Sequence, residues 1–426
     1  MNFEPSPTSQ ACLARVQAFT DRWLLPHNAA WHRHAQRGEV APFLPSLREL
    51  AREEGLWNLC LPWLAQHEPG TRLCSLDYAP VAEAMGRLHW SPEVFNCQAP
   101  DSGTMELLHR HASAEQRAEW LAPLLAGEIR SAFAMSEPDV ASSDPTNLQT
   151  TARPEGDALV LHGRKWFVTG AAHPMCRLLV VVCRNAGDEG AADPHAAHSL
   201  VLVPMDTPGV TVVRNIAVMQ HVGPDGHCEL RLEGVRVPAA NLLGAWGAGF
   251  ALAQARLAPG RIHHCMRTIG QCELALEPAC DRALERRSFG RPLSDRANVQ
   301  DWIALSRVEI DQARLLVLRA AWELDQPCPP ERLRSDISAI KLVAARLQTT
   351  VLDRAIQVFG AMGLSPDTPL AWLWTWGRAL RLLDGPDEVH LRAVARHEFS
   401  LARARAGASA AWFTTPEQMA AEPRLR

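Results

Sequence analysis

Three observations predict a chain built in three parts, helical, then β, then helical again. Apolar residues recur at three- and four-residue spacing through the first 130 residues, short β-rich runs replace them up to about 243, and long amphipathic patterns return from 244. The fold class expected is an N-terminal α-helical domain (1–130), a central β-barrel or sandwich domain (131–243) and a C-terminal four-helix bundle (244–410) with a tail (411–426).

The first part rests on "LPSLRELAREEGLW" and "PVAEAMGRLHW", whose apolar residues share one helical face. "SAEQRAEWLAPLLAG" opens on Ser113, a candidate N-cap with Glu and Gln close behind. The second part contains "ALVLHGRKWFVTG", "RLLVVVCR", "HSLVLVPM", "VTVVRNI" and "CELRLEGVRVP". In the last of these Glu229 to Glu233 alternate strictly, the mark of a strand with one buried face. "NAGDEGAADPHAAH" is a polar loop between two strands. In the third part Leu305, Val308, Leu315, Leu318 and Trp322 fall on one broad helical face. "QPCPPERLRSD" separates that helix from one starting near 336.

Composition narrows the function. With 426 residues, 47% hydrophobic and 21% charged, the chain reads as a globular protein with substantial cores. No run reaches the roughly 18 apolar residues of a membrane span, and "MNFEPSPTSQ" lacks the order of a secretory signal. A cytoplasmic location is the expectation. Net charge −4 provides no field to attract nucleic acid. The eleven cysteines form no CxxC pair and no Cys/His spacing, which suggests reduced thiols and no metal. Cys265, Cys272 and Cys280 recur at helical intervals as small core residues. Only Lys165 and Lys341 are lysines among 43 basic residues, a skew assigned to base composition.

Four segments could carry chemistry. "FAMSEPDVASSDPTN" (133–147) combines the hydroxyls of Ser136, Ser142 and Ser143 with a turn, able to hold phosphate or a polar heterocycle or simply to cap an interdomain turn. "GRKWFVTG" (163–170) puts Trp166 and Phe167 on opposite faces of a strand, with Phe167 and Thr169 together as a platform for a planar ring, or as core. "LERRSFGRP" (284–292) is either a solvated charge run or a diphosphate clamp. His263 and His264 are neighbours on a helix, pointing about 100° apart, and cannot share one metal.

The fifth segment is "RLLDGPDEVHLR" (381–392). Asp384 stands where an apolar run breaks, one step before a helix start. Pro386 at the first helical position, with Asp387 and Glu388 in the first turn, already satisfies that start. Asp384 is therefore either part of the punctuation or a spare carboxylate at the lip of an apolar pocket.

Taken in order, "AMSEPDVASSD", "KWFVTG", "ERRSFGRP", "QVFGAMG" and "LLDGPDEVH" resemble the signatures of the acyl-CoA dehydrogenase family of flavoproteins, over roughly residues 10 to 405. "PGRIHHCMRT" and "DGPDEVHL" resemble a subgroup in which some eukaryotic members carry a kinase-like domain upstream; no such domain is expected in these 426 residues. The resemblance implies FAD, an acyl-CoA substrate, electron-transfer flavoprotein as acceptor, and a homodimer or homotetramer. It implies that Phe133, Ala134, Met135, Ser136, Ser142 and Ser143 contact flavin, Ser143 also lying near substrate. Phe167, Val168 and Thr169 would sit against the isoalloxazine. Arg286, Ser288, Phe289, Gln357 and Gly360 would reach the FAD of a neighbouring subunit, and Pro386, Asp387 and Glu388 would close over the cofactor. Ala258, Pro259, Gly260, Arg261 and Gly385 would line the acyl pocket, and Asp384 would be the catalytic base. Burial is expected to raise the pKa of Asp384. The subgroup resemblance further hints at long, branched or hydroxylated acyl chains.

The chain departs from the family pattern in places. Most members have glutamate where Asp384 stands, about 1.5 Å longer in reach. Some place the base at the position of Gly260, which cannot serve. Pro386 stands where many have a hydroxyl, and Ala361 where a second glycine is common. Two other readings keep the fold: a flavin oxidase such as a nitroalkane or acyl-CoA oxidase, and a flavin-bearing nucleic-acid-binding protein, against which the charge balance argues.

Overall fold

A computed structural model describes residues 2–187 and 193–420. The polar loop read over 185–198 and the tail therefore fall partly outside the described residues. Helices α1 (Pro7–Phe19), α2 (Asn28–Ala35), α3 (Leu44–Glu53), α4 (Ser75–Gly86), α5 (Ser91–Val94), α6 (Asp101–His111), α7 (Ala114–Gln116) and α8 (Ala122–Ala126) come first. Ser113 caps α7 through a reciprocal pair with Gln116, as its spacing predicts.

Strands β1 (Arg130–Ala134), β2 (Thr151–Glu155), β3 (Ala158–Thr169), β4 (Cys176–Asn185), β5 (His198–Pro204), β6 (Val210–Asn215), β7 (His227–Pro238) and β8 (Leu242–Leu243) form one sheet. Its order is β6-β7-β3-β2-β4-β5-β8, with β1 also on β4. The pairings are antiparallel except β1–β4 and β2–β4, which are parallel. The β2–β4 pairing spans only Thr151–Arg184 and Ala152–Asn185 and joins the two halves of the sheet. In β7 the alternation read over Glu229–Glu233 holds from Leu230 to Glu233 (Leu230 and Leu232 buried, Arg231 and Glu233 exposed) and fails at Glu229, which is buried where it pairs with Arg164 and Arg214.

Helix α9 (Gly249–Glu285) runs unbroken through Pro259 and Pro278. Gly270 of α9 meets the Glu83 carbonyl and Gly86 of α4 meets the Arg267 backbone, so closely that a Cβ at either glycine would collide. A short hairpin, β9 (Arg287–Ser288) and β10 (Arg291–Pro292), leads to α10 (Ala297–Leu324) and α11 (Pro330–Phe359). The latter starts six residues before the expected 336, because Pro330 sits at a first helical position, where proline is tolerated. Then follow α12 (Ala361–Leu364), α13 (Leu370–Leu380) and α14 (Asp387–Arg405).

One sequence expectation changes meaning here. Leu305, Val308 and Leu315 of α10 are exposed; the side packed inward is Ile310, Ala313, Val317, Ala320 and Ala321. Periodicity finds an apolar stripe but does not say which molecule covers it, and this helix carries two. Cys265 and Cys272 are buried in the core, as expected. No helix among the described residues is long and apolar enough to cross a membrane.

Candidate active site

The turn between α13 and α14 is held from three sides. Asp384 (φ 53°) and Gly385 (φ 103°) both adopt left-handed backbone, unfavourable for an aspartate unless its surroundings enforce it. Lys341 Nζ of α11 donates to the carbonyl of Leu383 at 2.8 Å and also to that of Leu380. Arg261 Nε of α9 donates to the Asp384 carbonyl at 3.0 Å, and His390 Nε2 of α14 lies 3.3 Å from the same oxygen. A Cβ on Gly385 would stand 3.0 Å from that imidazole nitrogen, which fixes glycine there.

The backbone of Asp384 is thus engaged while its side chain is not. The carboxylate does not cap α14. Its Oδ2 lies 3.6 Å from His264 Nε2, with the side chain 29% exposed. Asp387 is the acid tied down at the helix start, with Oδ2 accepting from Arg381 Nε at 2.9 Å and lying 3.6 Å from Arg346 Nε. Asp384 is therefore the spare carboxylate of the segment.

Its electrostatics differ from the sequence expectation. Burial pushes the Asp384 carboxyl up, but His264, Lys341, Arg261 and Arg256 outweigh it and hold the group below the ordinary aspartate value. Burial in turn drives His264 down to about 4, so at neutral pH that imidazole is uncharged and the fixed cations are Lys341, Arg261 and Arg256. Cations, invisible in the local sequence, reverse the direction that burial alone would give.

Across from this turn stand the segments flanking β1 and β3. The Arg256 guanidinium of α9 lies 4.2 Å over the Phe133 ring, and its Nε is buried with no hydrogen-bond partner among the described residues. Ala134 is buried. The Met135 carbonyl accepts from Lys165 Nζ at 2.9 Å, and the Ser136 carbonyl accepts from the Trp166 amide at 2.9 Å. Ser142 Oγ accepts from the Glu137 amide at 2.8 Å and so latches its own loop, while Ser143 is exposed.

Near its end β3 carries a register irregularity between Lys165 and Val168, with Phe167 at φ 50°. This bulge undoes the expected alternation. Trp166 and Phe167 do not point to opposite faces; their rings meet edge to face at 4.9 Å, leaving Phe167 exposed and Val168 buried. Thr169 Oγ1 lies 2.9 Å from His227 Nδ1, and the His227 ring sits 5.3 Å from that of Trp376 on α13. An exposed aromatic platform, a hydroxyl and the helix that leads into the Asp384 turn are thereby linked.

The remaining predicted residues lie elsewhere. Phe289 (φ 48°) and Gly290 (φ 77°) form the tip of the β9–β10 hairpin, and Phe289 is 97% exposed. Ser288, Phe289, Arg296 and Gln357 border an open cleft of about 360 Å³ that includes no residue of the Asp384 turn. Gly360 (φ 65°) has open space at its Cβ position, and Arg286 is exposed. Pro259 and Gly260 are half-buried on α9 with open space at Gly260, while the Ala258 side chain falls outside the described residues. Pro386 is the N-cap of α14, and Glu388 is exposed in its first turn.

His263 and His264 face different neighbours, Tyr78 and Asp384 respectively. Among the described residues, Glu93, His173 and Asp225 bring their ligand atoms within 4.8 Å of one another. A guanidinium holds that position: Arg130 Nη1 donates to Glu93 at 2.9 Å and to Asp225 at 2.8 Å. Sequence reasoning missed Arg256, His264, Lys341 and His227. The one available signal was the scarcity of lysine, since both lysines stand in this region.

The fold and site together define a flavin-dependent oxidoreductase: the chain belongs to the acyl-CoA dehydrogenase family. Family models for the N-terminal, middle and C-terminal domains match residues 6–128, 132–235 and 247–399. "Probable acyl-CoA dehydrogenase FadE2" of Mycobacterium tuberculosis is 52% identical over 360 residues, 84% of this chain and 86% of that protein. Human acyl-CoA dehydrogenase family member 11 is 45% identical over 83% of this chain, which spans only 45% of that protein's length. A solved acyl-CoA dehydrogenase-type structure from Mycobacterium abscessus is 47% identical, with a TM-score of 0.89 over 94% of this chain and all of that one. The family's cofactor is FAD.

Proposed function

We propose that the chain dehydrogenates an acyl-CoA thioester between its α and β carbons, with Asp384 as the base that takes the α-proton. The observation that carries this reading is the Asp384 turn: its backbone is pinned by Arg261 and Lys341, while the carboxylate is left partly exposed with only His264 near it, at 3.6 Å. Such a group is ionised at neutral pH and aimed, the two requirements of a general base. An acyl chain laid against the exposed side of Asp384 would remove water and strengthen the base.

The residues present fit FAD. The exposed Phe167 ring suits a planar heterocycle, with the Thr169 hydroxyl beside it. The Ser288–Phe289–Gln357 cleft suits the more polar end of a cofactor, held against a second copy. When bound, FAD supplies the hydride acceptor. The protein's part would be alignment: Asp384 would hold the base, Phe167 and Thr169 would hold the ring, and Arg256 would offer a buried donor to a polar group of the ligand.

The test is anaerobic mixing with acyl-CoAs of varied chain length. Bleaching of the flavin absorbance, slow return of colour in air and fast return with electron-transfer flavoprotein are expected. No bleaching with any acyl-CoA would refute dehydrogenation, and immediate reoxidation by air would make the enzyme an oxidase.

Assembly into a homodimer or homotetramer belongs to the same proposal. The outward stripe of α10 (Leu305, Val308, Leu315) and the exposed Phe289 are the apolar surfaces such an assembly would cover. Light scattering should give a mass of at least two chains, and Val308→Glu combined with Leu315→Glu should lower it. A monomeric wild-type protein would contradict this.

A further inference from the structure

We infer that Lys341 is the positioning residue of the Asp384 turn, its buried ammonium both clamping the carbonyls of Leu380 and Leu383 and placing a positive charge near the Asp384 carboxylate. The inference rests on the reading of Asp384 as base and extends it to a residue with no other assigned part.

Lys341 lies in the middle of α11 and is 1% exposed. Two of its three donors go to the Leu380 and Leu383 carbonyls, groups left without helical partners where α13 ends. Among the described residues no carboxylate stands within ion-pair distance of it. A buried charge without a paired counter-ion is expensive, and a neutral donor could satisfy carbonyls at less cost. Burial lowers the pKa of Lys341, and the Asp384 carboxylate is the first of the neighbours that favour its charged form, ahead of Cys265 and Asp387. Charge and clamp therefore both bear on the Asp384 turn.

Amino-acid usage argues the same way. This chain has only two lysines among 43 basic residues. The other, Lys165, is also fully buried, donating to the Met135 carbonyl at 2.9 Å and to Glu137 Oε1 at 2.8 Å on the opposite wall of the site. Arginine at 341 would have to fit a longer side chain with a planar head into a space where Lys341 is 1% exposed. Both lysines are buried with their ammonium groups on backbone carbonyls, and both border the candidate site.

Other charged and titratable groups face Asp384. Arg256, Arg261 and His264 come from α9, Lys341 from α11 and His390 from α14, while Arg267 backs His264 at 3.5 Å. Lys341 alone among them is pinned to the backbone that carries Asp384 at two points. Removing its charge while keeping a donor separates clamp from charge.

The experiment uses the full-length FAD-loaded protein and anaerobic stopped-flow reduction by acyl-CoA between pH 4 and 9. Lys341→Gln keeps a donor without the charge, Lys341→Met removes both, and Lys341→Arg keeps the charge on a different shape. The expected result is an acid limb moved up by about one pH unit in the Gln and Met variants, at the low end of what a neighbouring charge does. The reduction rate at pH 7 should fall most in Met, and Arg should not restore it. An unmoved limb with a uniform rate loss would reduce Lys341 to a structural clip and overturn the inference. So would variants that all fail to fold. If Asp384→Asn reduces flavin at the wild-type rate, the parent reading fails instead, whatever Lys341 does.

Discussion

Asparagine at position 384 is expected to slow flavin reduction by acyl-CoA about 10³-fold, the middle of the range for loss of a general base. FAD content and thermal midpoint should stay near wild type. The reason is local: among the described residues the Asp384 carboxylate accepts no hydrogen bond within the usual range, its nearest partner being His264 Nε2 at 3.6 Å. An isosteric amide therefore removes the base without disturbing packing. The turn should survive, because Lys341, Arg261 and His390 hold its carbonyls and not its side chain. Asp384→Glu should retain measurable activity, since the added methylene changes reach and leaves the charge. The wild-type rate should hold at neutral pH and fall only in acid, because the neighbouring cations keep the carboxyl ionised. Rapid reduction by the asparagine variant would sink the assignment, and a colourless variant would make Asp384 a residue of cofactor binding.

What the sequence made legible was local. Proline at a helix start with two acids behind it marks Asp384 as spare, and in the structure the start of α14 takes no side-chain cap from it. The capping pair of Ser113 and Gln116 and the alternation of β7 from Leu230 onward are short-range patterns and appear as read, whereas Glu229 is buried by cross-strand arginines that a local pattern does not show. What failed needed a third dimension. Phe167 was given a face by counting in twos, and a single left-handed residue broke the count. The α10 stripe was real, but periodicity carries no information on which surface covers it. The pKa of Asp384 was inferred from burial alone, while its cations come from α9 and α11, at least 43 residues away in the chain. Lysine scarcity was visible, and its meaning emerged only when both exceptions turned up buried against backbone carbonyls.

The largest stability effect is expected at Arg130, at the start of β1, a few residues before the loop that the site shares. Its side chain is sealed, with Nε donating to Asp101 at 3.0 Å and Nη1 to Glu93 at 2.9 Å and to Asp225 at 2.8 Å. Asp101 also receives the Ser131 amide at 2.6 Å and Gln98 Nε2 at 2.7 Å, so the cluster stitches α5, α6, β1 and the turn before β7 together. Arg130→Met would leave these acids facing one another without their cation. Breaking a buried pair on one side costs about 3–5 kcal/mol, enough to lower the urea and thermal midpoints plainly. The pH dependence gives the cause. Burial raises Asp225, but Arg130 and nearby imidazoles outweigh it and hold it below 3.8, so in the wild type its contribution is present above that value and lost as pH falls through the folded-state pKa. Without Arg130 the folded pKa of Asp225 would rise above its unfolded value, and that of Glu93, which burial already holds above the ordinary glutamate value, would rise further. Their contribution would then be fully present only below the unfolded values and lost as pH rises through the folded ones. The deficit of the methionine variant should therefore shrink on acidification from pH 7 towards 4. Arg130→Lys should recover part of it, because one ammonium can keep the charge but not reach all three carboxylates. A deficit independent of pH would mean that packing, and not charge, holds this corner of the fold together.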